Sequence, residues 1–178
     1  MKEPAPPKNS VAVAPTETGC CIRVTGRGTV RESSAARDVT VRTLDNDPDT
    51  TVVFDLTPCD YLDSTFLGLL TGLFQSYGRA TPRRFLIAAP LELRKKLMGP
   101  CRLDKLLPFV EAPPAAVGVF VPLPAVGELN PADVARHVMD CHRALAQVEG
   151  PMQAAFARIA DQLERELAAA EAPAVAGT

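Results

Sequence analysis

Tryptophan is absent from the 178-residue chain, tyrosine and histidine occur twice each, and no stretch reaches the roughly 20 apolar residues of a membrane-spanning helix. A transmembrane helix is therefore not expected. A basic surplus is missing too. The 19 Lys and Arg residues face 21 Asp and Glu, for a formal net charge of −2, which leaves little to attract nucleic-acid phosphates or an anionic membrane surface. Neither partner is expected. Paired cysteines are also lacking: Cys20, Cys21, Cys59, Cys101 and Cys141 make an odd set with no C-x-x-C. That fits neither a disulfide framework nor a zinc ribbon and predicts reduced thiols in the cytoplasm. The amino-terminal "MKEPAPPKNSVAVAPTE" has no long apolar core of a secretory leader.

What is present reads as one layered α/β domain with an appendage. Residues 1–17 are proline-rich and polar, and a segment that buries so little cannot offset its ordering entropy, so an unstructured tail is expected. "CCIRVT" alternates Cys20, Ile22 and Val24 with Cys21, Arg23 and Thr25, the pattern of a half-buried strand closed by Gly26. "SSAARDVTVRTL" predicts a helix capped by Ser33 or Ser34, with Val39, Val41 and Leu44 as its apolar positions. "TVVFDL" is nearly continuous in apolar residues, as in a strand covered on both faces. A second helix follows from Asp63-Ser64, then a strand in "RRFLIA", a short helix in "PLELRKKLM" and a last strand in "LLPFVE".

Residues 18–112 thus form the predicted domain. Residues 113–129 are a proline-bounded connector with an edge strand at Val117 to Val121. Within residues 130–171, Val134, Val138, Cys141, Leu145 and Val148 recur at three- and four-residue steps, continued by Met152, Phe156, Ile159, Leu163 and Leu167. That is an amphipathic helical extension whose stripe must be buried on its own domain or by self-association. Gly150-Pro151 predicts a kink or a break, with too few residues for an antiparallel hairpin. Residues 172–178 are a second tail.

The stretch "TVVFDLTPCDYLDSTFLGLLTGLF" carries the functional question. At about 100° per residue, Phe66, Leu67, Leu70, Leu73, Phe74 and Tyr77 share one broad face and pack on the sheet. Gly68 and Gly72 fall opposite, with Ser64, Thr71 and Gln75. Interior glycines cost a helix about 1 kcal/mol each relative to alanine, so they are either tolerated surface residues or places where a partner must approach closely. Asp63 or Ser64 suits an N-cap. A hydroxyl at a helix N-terminus also suits a phosphoacceptor, because free N–H groups and the dipole favour a phosphate dianion.

"CIRVTG", "TVVFDLTPCDYLDSTFLGLL" and "LELRKKLMGPCRLDKLLPF", in this order and spacing, resemble the STAS domain of bacterial anti-sigma factor antagonists over residues 18–111. The resemblance implies a small mixed sheet with helices packed against it, and a serine/threonine kinase that is also the anti-sigma factor as partner. It implies phosphorylation of the serine that follows the aspartate, which abolishes the partner-switching complex. By that match Ser64 is the acceptor, Asp63 its neighbour and Thr65 a secondary candidate. The partner face would hold Asp63, Ser64, Thr65, Gly68, Thr71, Gly72 and Gln75. Phe66 stands where the family usually has glycine, and Arg27, Gly28 and Thr29 where many antagonists are acidic, so a different kinase partner, or none, is implied. A non-phosphorylated scaffold or assembly subunit is the alternative.

Other chemistry is thinly represented. Asp133, His137 and Cys141 share a helical face beside His142, but H-E-x-x-H and paired C-x-x-C are missing and Cys141 belongs to the apolar stripe, so no metal is expected. Gly26-Arg27-Gly28 lacks the third glycine of a dinucleotide loop and reads as a turn. Cys59 reads as a small core residue, and Arg94, Lys95 and Lys96 as a solvated helix face. No acid, base and nucleophile converge, so neither an enzyme nor a cofactor is predicted.

Overall fold

Strand-forming runs of Val, Ile and Phe build a seven-stranded mixed sheet in the computed structural model, which describes residues 8–125 and 130–172. Most of the tail expected at 172–178 and the end of the connector lie outside the described residues. In chain order the elements are β1 (Ser10–Thr16), β2 (Gly19–Gly28), α1 (Val30–Asn46), β3 (Thr51–Asp55), β4 (Cys59–Leu62) and α2 (Ser64–Leu73). A π-helical turn, Phe74–Gly78, prolongs α2. Then come β5 (Phe85–Ala88), α3 (Leu91–Met98), β6 (Phe109–Val110), β7 (Val121–Pro122), α4 (Pro131–Ala146) and α5 (Gln153–Glu171). Strand order is β6-β5-β3-β2-β1-β7, parallel from β6 to β2 and antiparallel around β1, with β4 paired to the end of β2.

The alternation in β2 holds. Cys20 and Ile22 face the helices: Cys20 Sγ contacts Thr43 of α1, and Phe54, beside Ile22, meets Phe66 of α2 edge-on at 6.3 Å between ring centroids. The opposite face is covered as well. Cys21 is fully buried, and Arg23 pairs at 2.7 Å with the buried carboxylate of Asp55 beneath the Phe120 ring. The strand expected to be half-buried is therefore enclosed, because the connector returns over it.

Residues 1–7 of the expected tail lie outside the described residues, and the rest is corrected by β1, whose Val11, Ala12 and Ala14 are buried between β2 on one side and β7 on the other. Ladder hydrogen bonds on both edges and three buried apolar side chains offset the ordering entropy that the surrounding prolines masked. The edge strand is shorter than Val117 to Val121, although the Val117 N–H still donates to the Pro15 carbonyl at 2.8 Å. The sheet thus extends past residues 18–112 at both ends. α1 also starts earlier than expected, capped by Thr29, while Ser33 and Ser34 lie buried within it. Arg94 is not on a solvated face: it lies over Phe109 and pairs with Glu111, leaving Lys95 and Lys96 exposed.

The extension differs most from expectation. α4 and α5 form an antiparallel hairpin, with Arg136 paired to Glu171 and Arg143 to Glu164 at 2.6 Å. The excluded turn is feasible because α4 stops at Ala146, well ahead of Gly150-Pro151, so residues 147–152 all serve the reversal. α4 packs across α2 and α5 packs on α4, giving three layers: sheet, α1 with α2, and hairpin. Cys141, Leu145 and Phe156 of the stripe are buried within the chain. No helix among the described residues is long and apolar enough to cross a membrane.

Candidate protein-docking site

β4 ends at Leu62, and Asp63 follows in extended conformation as the N-cap of α2. One carboxylate oxygen accepts from the Phe66 N–H and the other from the Val30 N–H, both at 2.8 Å. A single aspartate therefore caps α2 and supplements the Thr29 cap of α1, drawing two positive helix ends to one point. Ser64 is left as the first residue of α2, with no capping duty.

The Ser64 hydroxyl lies 3.1 Å from Nε2 of His142 on α4. Nδ1 of the same ring donates to the Val138 carbonyl at 2.8 Å, so in the neutral imidazole Nε2 is the acceptor for the serine proton. Further along α2, a Cβ on Gly68 would stand 2.3 Å from the Cys141 carbonyl oxygen. At Gly72 the nearest atom is the Ala144 Cβ, at 3.6 Å. Gln75 Nε2 donates to the Ala144 carbonyl at 3.2 Å.

Four of the seven residues expected on a partner face, Ser64, Gly68, Gly72 and Gln75, are thus brought together, but under the chain's own α4. This corrects the expectation of an open surface, and at Gly68 it also rules out a merely tolerated glycine. Asp63 is spent on the Phe66 and Val30 N–H groups, Thr65 is buried, and Thr71 turns its hydroxyl back to the Leu67 carbonyl at 2.8 Å. The residues that face the site from α4, His142, Cys141 and Ala144, were not read from the sequence as contacts. A signal was present: small residues on α4 at 141 and 144 complement the glycines at 68 and 72.

His137 anchors α4 a turn earlier. Arg37 donates to its Nδ1 at 3.3 Å and its Nε2 lies 2.8 Å from the Ser33 hydroxyl, which in turn donates to the Val30 carbonyl. Burial, aided by the Arg37 charge, lowers its pKa to about 4. The unfolded chain therefore binds this proton first on acidification. The stability that the neutral ring confers is full above about pH 6.5 and is lost as pH falls towards 4. His137→Gln should accordingly flatten the fall of the unfolding midpoint between pH 6.5 and 4 in thermal melts, relative to the unsubstituted chain.

Among the described residues, no group of three or more His, Cys, Asp or Glu side chains is placed to hold a metal ion. Burial pushes Cys141 up to about 12 and Cys59 and Cys21 up to about 11, away from thiolate reactivity. No protein-family model matches the chain, and no curated protein matches it.

Proposed function

We propose that the chain is a phosphorylation-controlled protein-binding module of the STAS type, acting as an anti-sigma factor antagonist in a cytoplasmic partner switch. Ser64 is the phosphoacceptor and a serine/threonine kinase the partner. The observation that carries this reading is that the Ser64 hydroxyl, at the start of α2, has no capping role. Asp63 caps α2 and accepts from the first N–H of α1, and Ser64 sits at the positive end of α2 on the side away from the sheet. The pairing with His142 lacks the carboxylate of a catalytic triad, since Nδ1 is held by a backbone carbonyl.

The second reading, a scaffold or assembly subunit without a phosphoswitch, is favoured by one observation: α4 already covers the acceptor and its neighbours. Peptide-mapping mass spectrometry of the chain isolated from its native host distinguishes the two. The switch predicts a fraction carrying phosphate on Ser64, lost in Ser64→Ala. Phosphate on Thr65 alone, or on no residue, would favour the scaffold.

A further inference from the structure

We infer that the outward face of α2 is a helix-receiving groove which the α4–α5 hairpin fills as a tethered, displaceable occupant. Its external ligand is then a partner helix built like α4: small residues three apart, a hydrogen-bond acceptor one turn from the crossing, and an acidic group beyond its C-terminal end. This rests on the reading of α2 as the docking element and adds what docks there.

Four observations specify the occupant. At Gly68 backbone meets backbone, so only a small residue such as Cys141 can cross there, and Ala144 lies next to Gly72. The seam is tied by polar bonds as well as apolar packing: Ser64 to His142, Gln75 to the Ala144 carbonyl, and Ser33 and Arg37 to His137. It is incompletely closed, leaving a cavity of about 220 Å³ beside Gly68, Gly72 and Asp140. At the hairpin turn Glu149 shares a cleft of about 440 Å³ with Arg79, Arg102 and Lys105, three cations from elements of the main domain.

Displacement follows from the layer order. α2 buries its apolar side, Phe66 and Leu70, in the sheet layer, whereas the hairpin lies on the outer side and joins the domain through the connector. A tethered occupant competes at an effective concentration of order millimolar, so an external helix sees an affinity reduced by the fraction of open chains.

The test uses a fluorescent peptide of residues 130–172 added to three full-length chains. Ala144→Arg should lift the chain's own hairpin while leaving the groove intact, and should bind the peptide at least about 100-fold more tightly than the unsubstituted chain. Gly72→Cys with Ala144→Cys places the two Cβ atoms about 3.6 Å apart, within the range of roughly 3.5–4.5 Å that a disulfide spans. Oxidised, this lock should refuse the peptide; reduced, it should regain the weak binding of the unsubstituted chain. Equal binding by all three, or no binding to a folded Ala144→Arg chain, overturns the inference. Should that variant not fold, hydrogen exchange on the unsubstituted chain decides. α4 amides exchanging well before those of β3 support a displaceable hairpin, and exchange only by global unfolding contradicts it. No kinase enters these experiments, so their failure leaves the Ser64 reading to its own test.

Discussion

Gly68→Ala is expected to destabilise the chain by about 1–3 kcal/mol in urea unfolding, whereas Gly72→Ala four residues away is expected to be neutral or stabilising by up to about 1 kcal/mol. The helix gains from alanine at both positions, because alanine loses less backbone entropy than glycine. What differs is the neighbour. At Gly68 the new methyl meets the Cys141 carbonyl at 2.3 Å, a backbone group that cannot swing away, so α4 must shift. At Gly72 it meets the Ala144 methyl at 3.6 Å, an ordinary contact. Two glycines that look equivalent on a helical wheel should therefore give opposite signs, and equal effects would show that α4 does not cross where described.

Asp63→Ala is expected to cost about 2–4 kcal/mol, since the N-cap of α2 is worth about 1–2 kcal/mol and the same carboxylate also accepts from the part-buried Val30 N–H of α1. Asp63→Asn keeps one accepting oxygen but turns its amide against the other N–H, so it should fall between the two in the same urea titration. A loss no larger than that of a single cap would mean that the Val30 N–H finds another acceptor when Asp63 is gone.

Layering was legible in the sequence wherever one local rule acted alone. The apolar run at Val52 to Leu56 could only be an enclosed strand, and the wheel of α2 separated Phe66 and Leu70 from Gly68 and Gly72 correctly. β1 was hidden because its apolar residues are mostly small and its neighbourhood rich in proline. β2 follows it directly in a tight hairpin, but its other edge is closed by β7, about a hundred residues on, which no local window contains. The hairpin was hidden for a related reason. The Gly-Pro pair marked the interruption, but the length of the turn depended on where α4 chose to end, four residues earlier than the Gly150-Pro151 pair. His142 was weighed with His137 and Cys141 as a metal candidate because sequence spacing shows what shares a helix face and not what the face opposes.

That opposition revises one expectation about the switch. With α4 absent from the picture, phosphate at the N-terminus of α2 would be gently favourable, about 0.3–1 kcal/mol, and nothing in the domain would respond. With His142 at hydrogen-bond distance, a phosphate on Ser64 has to displace that contact with α4. The domain should stay folded while the hairpin loosens.

The most direct measurement is hydrogen–deuterium exchange by mass spectrometry on the chain carrying phosphoserine at position 64, installed during translation so that no kinase need be identified. The account predicts faster exchange throughout α4 and α5 and unchanged protection in β2, β3 and β5. A phosphorylated chain whose hairpin is as protected as before, or whose whole sheet loses protection with it, would contradict the claim that Ser64 governs access to the α2 face.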